Sequence, residues 1–215
     1  MKSLMVISGW AHGIKSIEPF KKKFSDKLVV TLLSASKALQ MAKLPSADFI
    51  IGISLGGMIA IDKLPANCKK LVLISTTACF CRKNDYPFGT SPRIIAKMKE
   101  RIMKNENQVL EDFFINAHSP QTLKISKQKK TMVNEGLEEG LVFMENKDLR
   151  KNVGLIEAST LILHGRHDQI VPFASAEWLH NNFKKSDLFC FETMGHMISV
   201  HAFEKIIMMI DDFLE

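Results

Sequence analysis

The sequence predicts an α/β fold, a mostly parallel sheet with helices on both faces and one helical insertion. Three observations carry this. Short β-rich runs alternate with helical patterns through the first 75 residues and again from residue 160. The strand runs are hydrophobic almost without a break, as a sheet covered on both faces requires. Between about Phe80 and Arg150 the strand signal disappears and apolar residues recur at helical spacing.

In order, strands are expected at residues 4–8, 28–33, 49–54 and 70–75. Ser91 and Pro92 then form an N-cap and first-turn pair, followed by Ile94, Ile95, Met98, Ile102 and Met103 on one helical stripe. Val109, Leu110, Phe113, Phe114 and Ala117 form a second stripe, and the Lys-rich stretch after Thr122 reads as a third helix. The alternation resumes with a strand at 160–164, a helix after Pro172, a strand at 187–192 and a last helix at 201–214. Residues 1–80 and 151–215 are thus expected to form the core and 81–150 a helical cap. No internal repeat is present.

Composition narrows the function classes. At 215 residues, 46% hydrophobic and 24% charged, the chain has the balance of a globular domain rather than a disordered, collagenous or low-complexity one. Its longest apolar runs fall far short of the roughly 20 residues of a membrane span. The N-terminal apolar stretch reaches Gly9 too soon for a secretory h-region, so a cytoplasmic location is expected. Cys68, Cys79, Cys81 and Cys190 show no CxxC pair and no His at metal-ligand spacing, which points to buried thiols rather than a zinc site or disulfide scaffold. The net charge of +6 is local: residues 82–130 hold eleven basic and five acidic side chains, and the rest of the chain is balanced. Such a segment is either a solvated helical face or a docking surface for an acidic partner.

Gly52-Ile53-Ser54-Leu55-Gly56 closes a buried strand and opens an apolar helix, the context in which G-x-S-x-G becomes a nucleophile elbow. A tight turn with an inert serine is the plainer alternative. Serine needs a base to take its proton, and the base needs a carboxylate to hold its tautomer. Asp168 follows one strand end and His196 another, in the chain order Ser, Asp, His, on loops expected to be neighbours. His12, His118, His164, His167, His180 and His201 compete with His196 but lack its combination of chain order, strand-end loop and preceding glycine. An oxyanion needs two backbone N–H groups. Leu55, immediately after the serine, and Trp10, in the loop after the first strand, are the expected donors. The Trp10 indole is either a wall of the acyl pocket or simply a core aromatic.

These residues together resemble the α/β-hydrolase superfamily and, within it, the pimeloyl-acyl-carrier-protein methyl ester esterases of biotin synthesis (BioH type). The resemblance runs over most of the chain. It is carried by Gly9-Trp10, by Gly-Ile-Ser-Leu-Gly-Gly at 52–57, by Leu-Val-Leu-Ile-Ser-Thr-Thr-Ala-Cys-Phe at 71–80, by Pro87 and Gly89, by Asp112-Phe113-Phe114, by Asp148-Leu149-Arg150, and by Gly165 with Asp168, Val171 and Pro172. The departures are the absence of the family's N-terminal strands, a shortened stretch from Trp10 to Ser54, a shorter cap, and Gln108 and Asp112 where basic residues are expected.

The resemblance implies an α/β-hydrolase fold with Ser54 as nucleophile, Asp168 as acid and His196 as base. Substrate contacts are implied at Trp10, Leu55, Phe113, Phe114, Ile115, Asn116 and Ala117. It implies a serine carboxylesterase that removes the methyl ester from a pimeloyl chain on acyl carrier protein, a partner acidic enough to suit the basic cap. Neither metal nor organic cofactor, nucleic acid nor membrane is expected, and the protein is expected to act as a monomer. A related hydrolase of other esters or thioesters, and a non-catalytic hydrolase-like binding protein, are the rival readings.

Overall fold

The computed structural model describes residues 1–122 and 134–215. Six parallel strands form the sheet among these residues: β1 (Ser3–Ile7), β2 (Val29–Leu33), β3 (Phe49–Ile53), β4 (Lys70–Ile74), β5 (Ser159–Gly165) and β6 (Ser186–Phe191), in the order β2-β1-β3-β4-β5-β6. Each ends within one residue of where the sequence places it. Because side chains alternate across a strand, the sheet feeds two separate cores. Met5, Ile7, Ile50, Leu71, Leu73 and Ile162 face one side, and Leu4, Val6, Phe49, Ile51, Val72 and Ile74 the other. Both faces are covered, which is why the strand sequences read as continuous apolar runs.

Helices α1 (Glu18–Phe24), α2 (Ala35–Gln40) and α3 (Leu55–Asp62) fill the connections between the first four strands. Phe20 and Phe24 of α1 join the second core, while α3 is buried at every position from Leu55 to Ile61. A helix apolar all round has no solvent face to offer, and α3 accordingly belongs to the interior.

Between β4 and β5 run α4 (Pro92–His118), α5 (Leu137–Asn146) and α6 (Arg150–Val153). The two apolar stripes are the two halves of α4, which is interrupted at Asn105, where φ is −156° and ψ is 78°. The Lys-rich stretch expected as a third helix, with Lys124, Lys127, Lys129 and Lys130, lies outside the described residues. Helix α5 has no counterpart in the sequence reading. Its Leu137, Leu141 and Met144 do recur at helical spacing and are buried, but Gly140 in their midst lowers helix propensity by about 1 kcal/mol and masks the pattern. Arg150 fastens the end of this region to its beginning: its guanidinium donates to Asp148 at 2.7 Å and Asp85 at 2.9 Å and lies over the Tyr86 ring.

The remaining helices are α7 (Phe173–Asn182), α8 (Ile198–His201) and α9 (Phe203–Leu214). Ile206, Ile207, Ile210 and Leu214 of α9 cover the face that α1 also covers. All four cysteines are free, and Cys68, Cys79 and Cys81 are buried. Burial pushes the Cys68 thiol up to about 12 and the Cys79 thiol up to about 11, which keeps both protonated and unreactive. No described helix is long and apolar enough to cross a membrane.

Candidate active site

Ser54, Asp168 and His196 all stand just beyond the carboxyl ends of strands, where an open parallel sheet places its ligands. Ser54 follows β3 with φ of 52° and ψ of −117°, a positive-φ conformation that few non-glycine residues adopt. The turn that imposes it is very tight. A Cβ at Gly56 would fall inside the backbone carbonyls of Ile7 and Ser8, so only glycine lets the start of α3 come this close to β1.

The three side chains meet there. His196 Nε2 lies 3.0 Å from Ser54 Oγ, and His196 Nδ1 lies 2.7 Å from Asp168 Oδ2. A carboxylate only accepts, so Nδ1 carries the proton and Nε2 presents its lone pair to the serine hydroxyl. Asp168 and His196 are 7% and 4% exposed, which removes both from bulk water. Burial alone would push the Asp168 carboxyl up. The facing His196 and hydrogen bonds from His164 and His196 outweigh it and hold the group below the usual carboxylate range. The other Asp168 oxygen accepts from the Ile170 and Val171 N–H groups, each at 2.8 Å. Three N–H groups therefore donate to one carboxylate, and His164 Nε2 stands close by as a fourth neighbour.

Sequence reasoning missed several residues that build this arrangement. His164, fully buried within β5, brings Nε2 to 3.1 Å from Asp168 Oδ2 and 2.8 Å from the Val171 carbonyl, while its Nδ1 has no partner. The Ser75 hydroxyl, at a left-handed φ of 49°, donates to the His196 carbonyl at 2.8 Å, and the Thr76 hydroxyl donates to the Ser54 carbonyl at 2.6 Å. The end of β4 thus holds the loops of both Ser54 and His196. His167 and His180, the competitors nearest the acid and on α7, are exposed and bonded elsewhere.

The loop after β1 packs against the serine: a Cβ at Gly9 would lie 3.4 Å from Ser54 Cβ. Ser8 holds this loop by donating to the His12 carbonyl at 2.6 Å and accepting from the Ala35 N–H at 3.1 Å. The backbone N–H groups of Trp10 and Leu55 have no acceptor among the described residues. Trp10 itself is buried, with its indole N–H donating to the Leu137 carbonyl at 2.9 Å. Gly140 makes this approach feasible, since a Cβ there would lie 2.6 Å from Trp10 Cδ1.

Two cavities meet at Ser54, of about 370 and 390 Å³, each within the range of small-molecule sites. Trp10, Ser54 and Phe113 line both, and the Trp10 and Phe113 rings meet edge to face at 4.8 Å between them. Of the run expected to contact substrate, Phe113, Phe114 and Asn116 line one cavity or the other. Ile115 and Ala117 line neither. A helix cannot present five consecutive residues to one side: Ile115 is 60% exposed, and Ala117 is fully buried with its carbonyl accepting from Met197. Leu55, also expected to contact substrate, lines neither cavity: its side chain is buried in the core, where the interior helix α3 begins. Among the described residues no group of three or more His, Cys, Asp or Glu side chains is arranged to hold a metal ion.

The basic segment is partly self-neutralised. Arg101 pairs with Asp112 at 2.6 Å and Lys99 with Glu145, while Gln108 donates to Asp112 at 2.9 Å. Arg93, Lys97 and Lys104 are exposed on α4 with no carboxylate partner among the described residues.

The pimeloyl-acyl-carrier-protein methyl ester esterase of Nitrosomonas europaea is 27% identical over 166 residues, covering 72% of this chain and 66% of that protein. The AB hydrolase superfamily protein YisY of Bacillus subtilis is 32% identical over 179 residues, covering 76% and 65%. The chain therefore spans about two thirds of the length of the curated relatives it matches. The solved esterase EaEST from Exiguobacterium antarcticum superposes with a TM-score of 0.84 over 99% of this chain and 92% of that one, at 22% identity, a likeness of fold. Residues 26–201 match the family model described as serine aminopeptidase, S33, a stretch that contains Ser54, Asp168 and His196. With that match over most of its length, the chain belongs to this Hydrolase_4 family of α/β hydrolases.

Proposed function

We propose that the protein is a serine carboxylesterase in which Ser54 is the nucleophile, His196 the general base and Asp168 the residue that orients it. The observation that carries the reading is the hydrogen-bond chain from Ser54 through His196 to Asp168, buried at the junction of two cavities. Ser54 Oγ attacks the ester carbonyl as His196 Nε2 takes its proton. The negative charge that develops on the carbonyl oxygen is met by the otherwise unbonded N–H groups of Trp10 and Leu55. The C–O bond to the alcohol breaks as His196 returns the proton to the leaving oxygen. Water, activated by His196, then attacks the acyl-serine and releases the acid. Asp168 stays ionised throughout and stabilises the imidazolium.

The finer reading is that the acyl group is a pimeloyl chain on acyl carrier protein and the leaving alcohol methanol. Support comes from the names of the relatives and from the surplus of positive charge on residues 82–130. Residues 81–150 then act as a cap over the core, and the docking surface is Arg93, Lys97 and Lys104. Arg101 is already neutralised by Asp112, and Lys127 and Lys130 lie outside the described residues. Carrier docking of this kind is steered by long-range attraction, which weakens as the Debye length falls from about 30 Å at 0.01 M salt to about 8 Å at 0.15 M. The test compares carrier-bound pimeloyl methyl ester with a free methyl ester across this range. KM should rise with salt, and on charge reversal at Arg93, Lys97 and Lys104, for the carrier-bound ester only. Equal responses of the two esters would remove the carrier protein from the reading and leave the esterase.

A further inference from the structure

His196 is carried by residues 192–197, the loop between β6 and α8. One side of this loop lies on the core. The Ser75 hydroxyl donates to the His196 carbonyl at 2.8 Å, and the loop crosses Gly165 so closely that a Cβ there would fall among the Met194 and Gly195 carbonyls. The other side meets the carboxyl end of α4 and the residues that follow it. In the last turn of α4 the Ala117 carbonyl accepts from the Met197 N–H at 3.2 Å. A Cβ at Gly195 would land on the Ser119 carbonyl, so only glycine before the histidine admits this approach. His118 and His201 bond each other at 2.8 Å and pin α4 to α8.

Gln121 completes the hold. Its Nε2 donates to the Thr193 carbonyl at 2.6 Å, and its Oε1 accepts from the Gly195 N–H at 3.4 Å. One amide thus serves a carbonyl and an N–H two residues apart, as a residue of a parallel strand does. The N–H groups of Gly195 and Met197, on either side of His196, are therefore engaged by the insertion, and the His196 carbonyl by the core.

A general base must keep its ring nitrogen within about 3 Å of the hydroxyl it deprotonates, and a misplacement of about 1 Å can cost on the order of a hundredfold in rate. His196 meets Ser54 at 3.0 Å and Asp168 at 2.7 Å, from a loop with no helix or strand of its own to fix that geometry. Contacts from outside the loop have to supply it. We propose that Gln121 is a positioning residue for the general base, fixing the His196 loop from the side of the insertion. The proposal rests on the serine esterase reading and gives the insertion a part in the chemistry. Gln121 lines neither cavity, so its loss disturbs the placement of His196 rather than the fit of the substrate.

The test first replaces Gln121 by Met, which keeps the length of the side chain and removes both hydrogen bonds. On a p-nitrophenyl ester kcat should fall about fivefold or more while KM stays within about twofold. A smaller fall, or a loss carried by KM, overturns the proposal. Gln121→Glu supplies a second reading within one protein. Ionised, the introduced carboxylate sets an acceptor against the Thr193 carbonyl; protonated, its O–H donates there while the other oxygen accepts from Gly195, which restores the native pattern. The same repulsion favours the protonated form and raises its titration above the usual carboxylate range. The ratio of the variant's kcat to that of wild type should therefore rise about twofold or more from about pH 8 to about pH 5.5. Wild type run at each pH cancels the titration of His196 and of its neighbours His12, His118 and His201. A flat or falling ratio overturns the proposal, whatever the stability of Gln121→Met. Labelling by a fluorophosphonate keeps the two readings apart: with Ser54 labelled in wild type at a rate that Gln121→Met leaves unchanged, only the positioning role fails, whereas an unlabelled Ser54 removes the esterase reading itself.

Discussion

Replacing Asp168 by Asn keeps the size and shape of the side chain while exchanging one acceptor oxygen for a donor NH₂. In the native site three hydrogen bonds run into the carboxylate, from Ile170 and Val171 to Oδ1 and from His196 to Oδ2, while His164 Nε2, bonded to the Val171 carbonyl at 2.8 Å, stands 3.1 Å from Oδ2. An Asn can orient its NH₂ in only two ways. Facing the backbone, it sets a donor against two buried N–H groups, at a cost of about 1–3 kcal/mol for each orphaned group. Facing the histidines, it forces His196 into the tautomer with its proton on Nε2, which cannot accept from Ser54. The second orientation is cheaper, because a neutral imidazole changes tautomer at little cost and both backbone bonds survive. The expected result is a fold of near-native stability with kcat reduced about 10⁴-fold, close to 5 kcal/mol in activation free energy. Initial rates on a p-nitrophenyl ester, with urea melts of both proteins, measure the two quantities together. An Asp168→Asn protein that keeps more than a tenth of wild-type kcat and its full stability would refute the assigned role of Asp168.

Three further outcomes follow from neighbouring residues. Ser75→Gly retains the left-handed backbone without strain but removes the hydroxyl that holds the His196 carbonyl; kcat should fall about threefold to tenfold with KM little changed, and an unaltered kcat would detach Ser75 from the site. His118, at 3% exposure, bonds His201 at 2.8 Å, and burial followed by its histidine neighbours lowers it to about 4. The unfolded chain protonates this residue near 6.5 while the fold resists until about 4, so between these values the unfolded state binds more protons and stability falls with falling pH. The loss attributable to His118 is on the order of 3 kcal/mol, above the range where Asp168 titrates, and urea melts from pH 7 to about 4.5 should show a shallower slope for His118→Gln; equal slopes would contradict this. Gly140→Ala should lower Tm despite the better helix former, because its Cβ would meet Trp10 at 2.6 Å and the overpacking cost of about 1–3 kcal/mol exceeds the roughly 1 kcal/mol propensity gain. A higher Tm would show that Trp10 yields freely.

Strand positions and the elbow were legible from sequence because they depend on local pattern. A buried parallel strand is a short apolar run wherever it occurs, and a glycine-flanked serine between strand and helix has few other uses. The run at 113–117 was legible only in part for the same reason inverted. Five consecutive residues were expected to contact substrate, but helical geometry turns Ile115 outward and Ala117 into the core while Phe113, Phe114 and Asn116 reach the cavities. Helix α5 was hidden because Gly140 serves the close approach of Trp10, from far earlier in the chain, at the expense of local propensity. His164 read only as a rival to His196, and Ser75 and Thr76 only as part of the stretch at 71–80. Their roles arise only when β4 and β5 lie side by side and place those ends beside the loops of Ser54, Asp168 and His196. The pairing of Arg101 with Asp112 likewise reduces a basic surface that a count of charges overstates.

The central claim, that Ser54 is a nucleophile activated by His196, is tested most directly by covalent capture. The protein is treated with a fluorophosphonate probe and digested, and the modified residue is located by mass spectrometry, in parallel with Ser54→Ala and His196→Ala. The account predicts a single adduct on Ser54, none in Ser54→Ala, and labelling slowed by about a thousandfold or more in His196→Ala. An adduct on another serine, or undiminished labelling of Ser54 in His196→Ala, would contradict it.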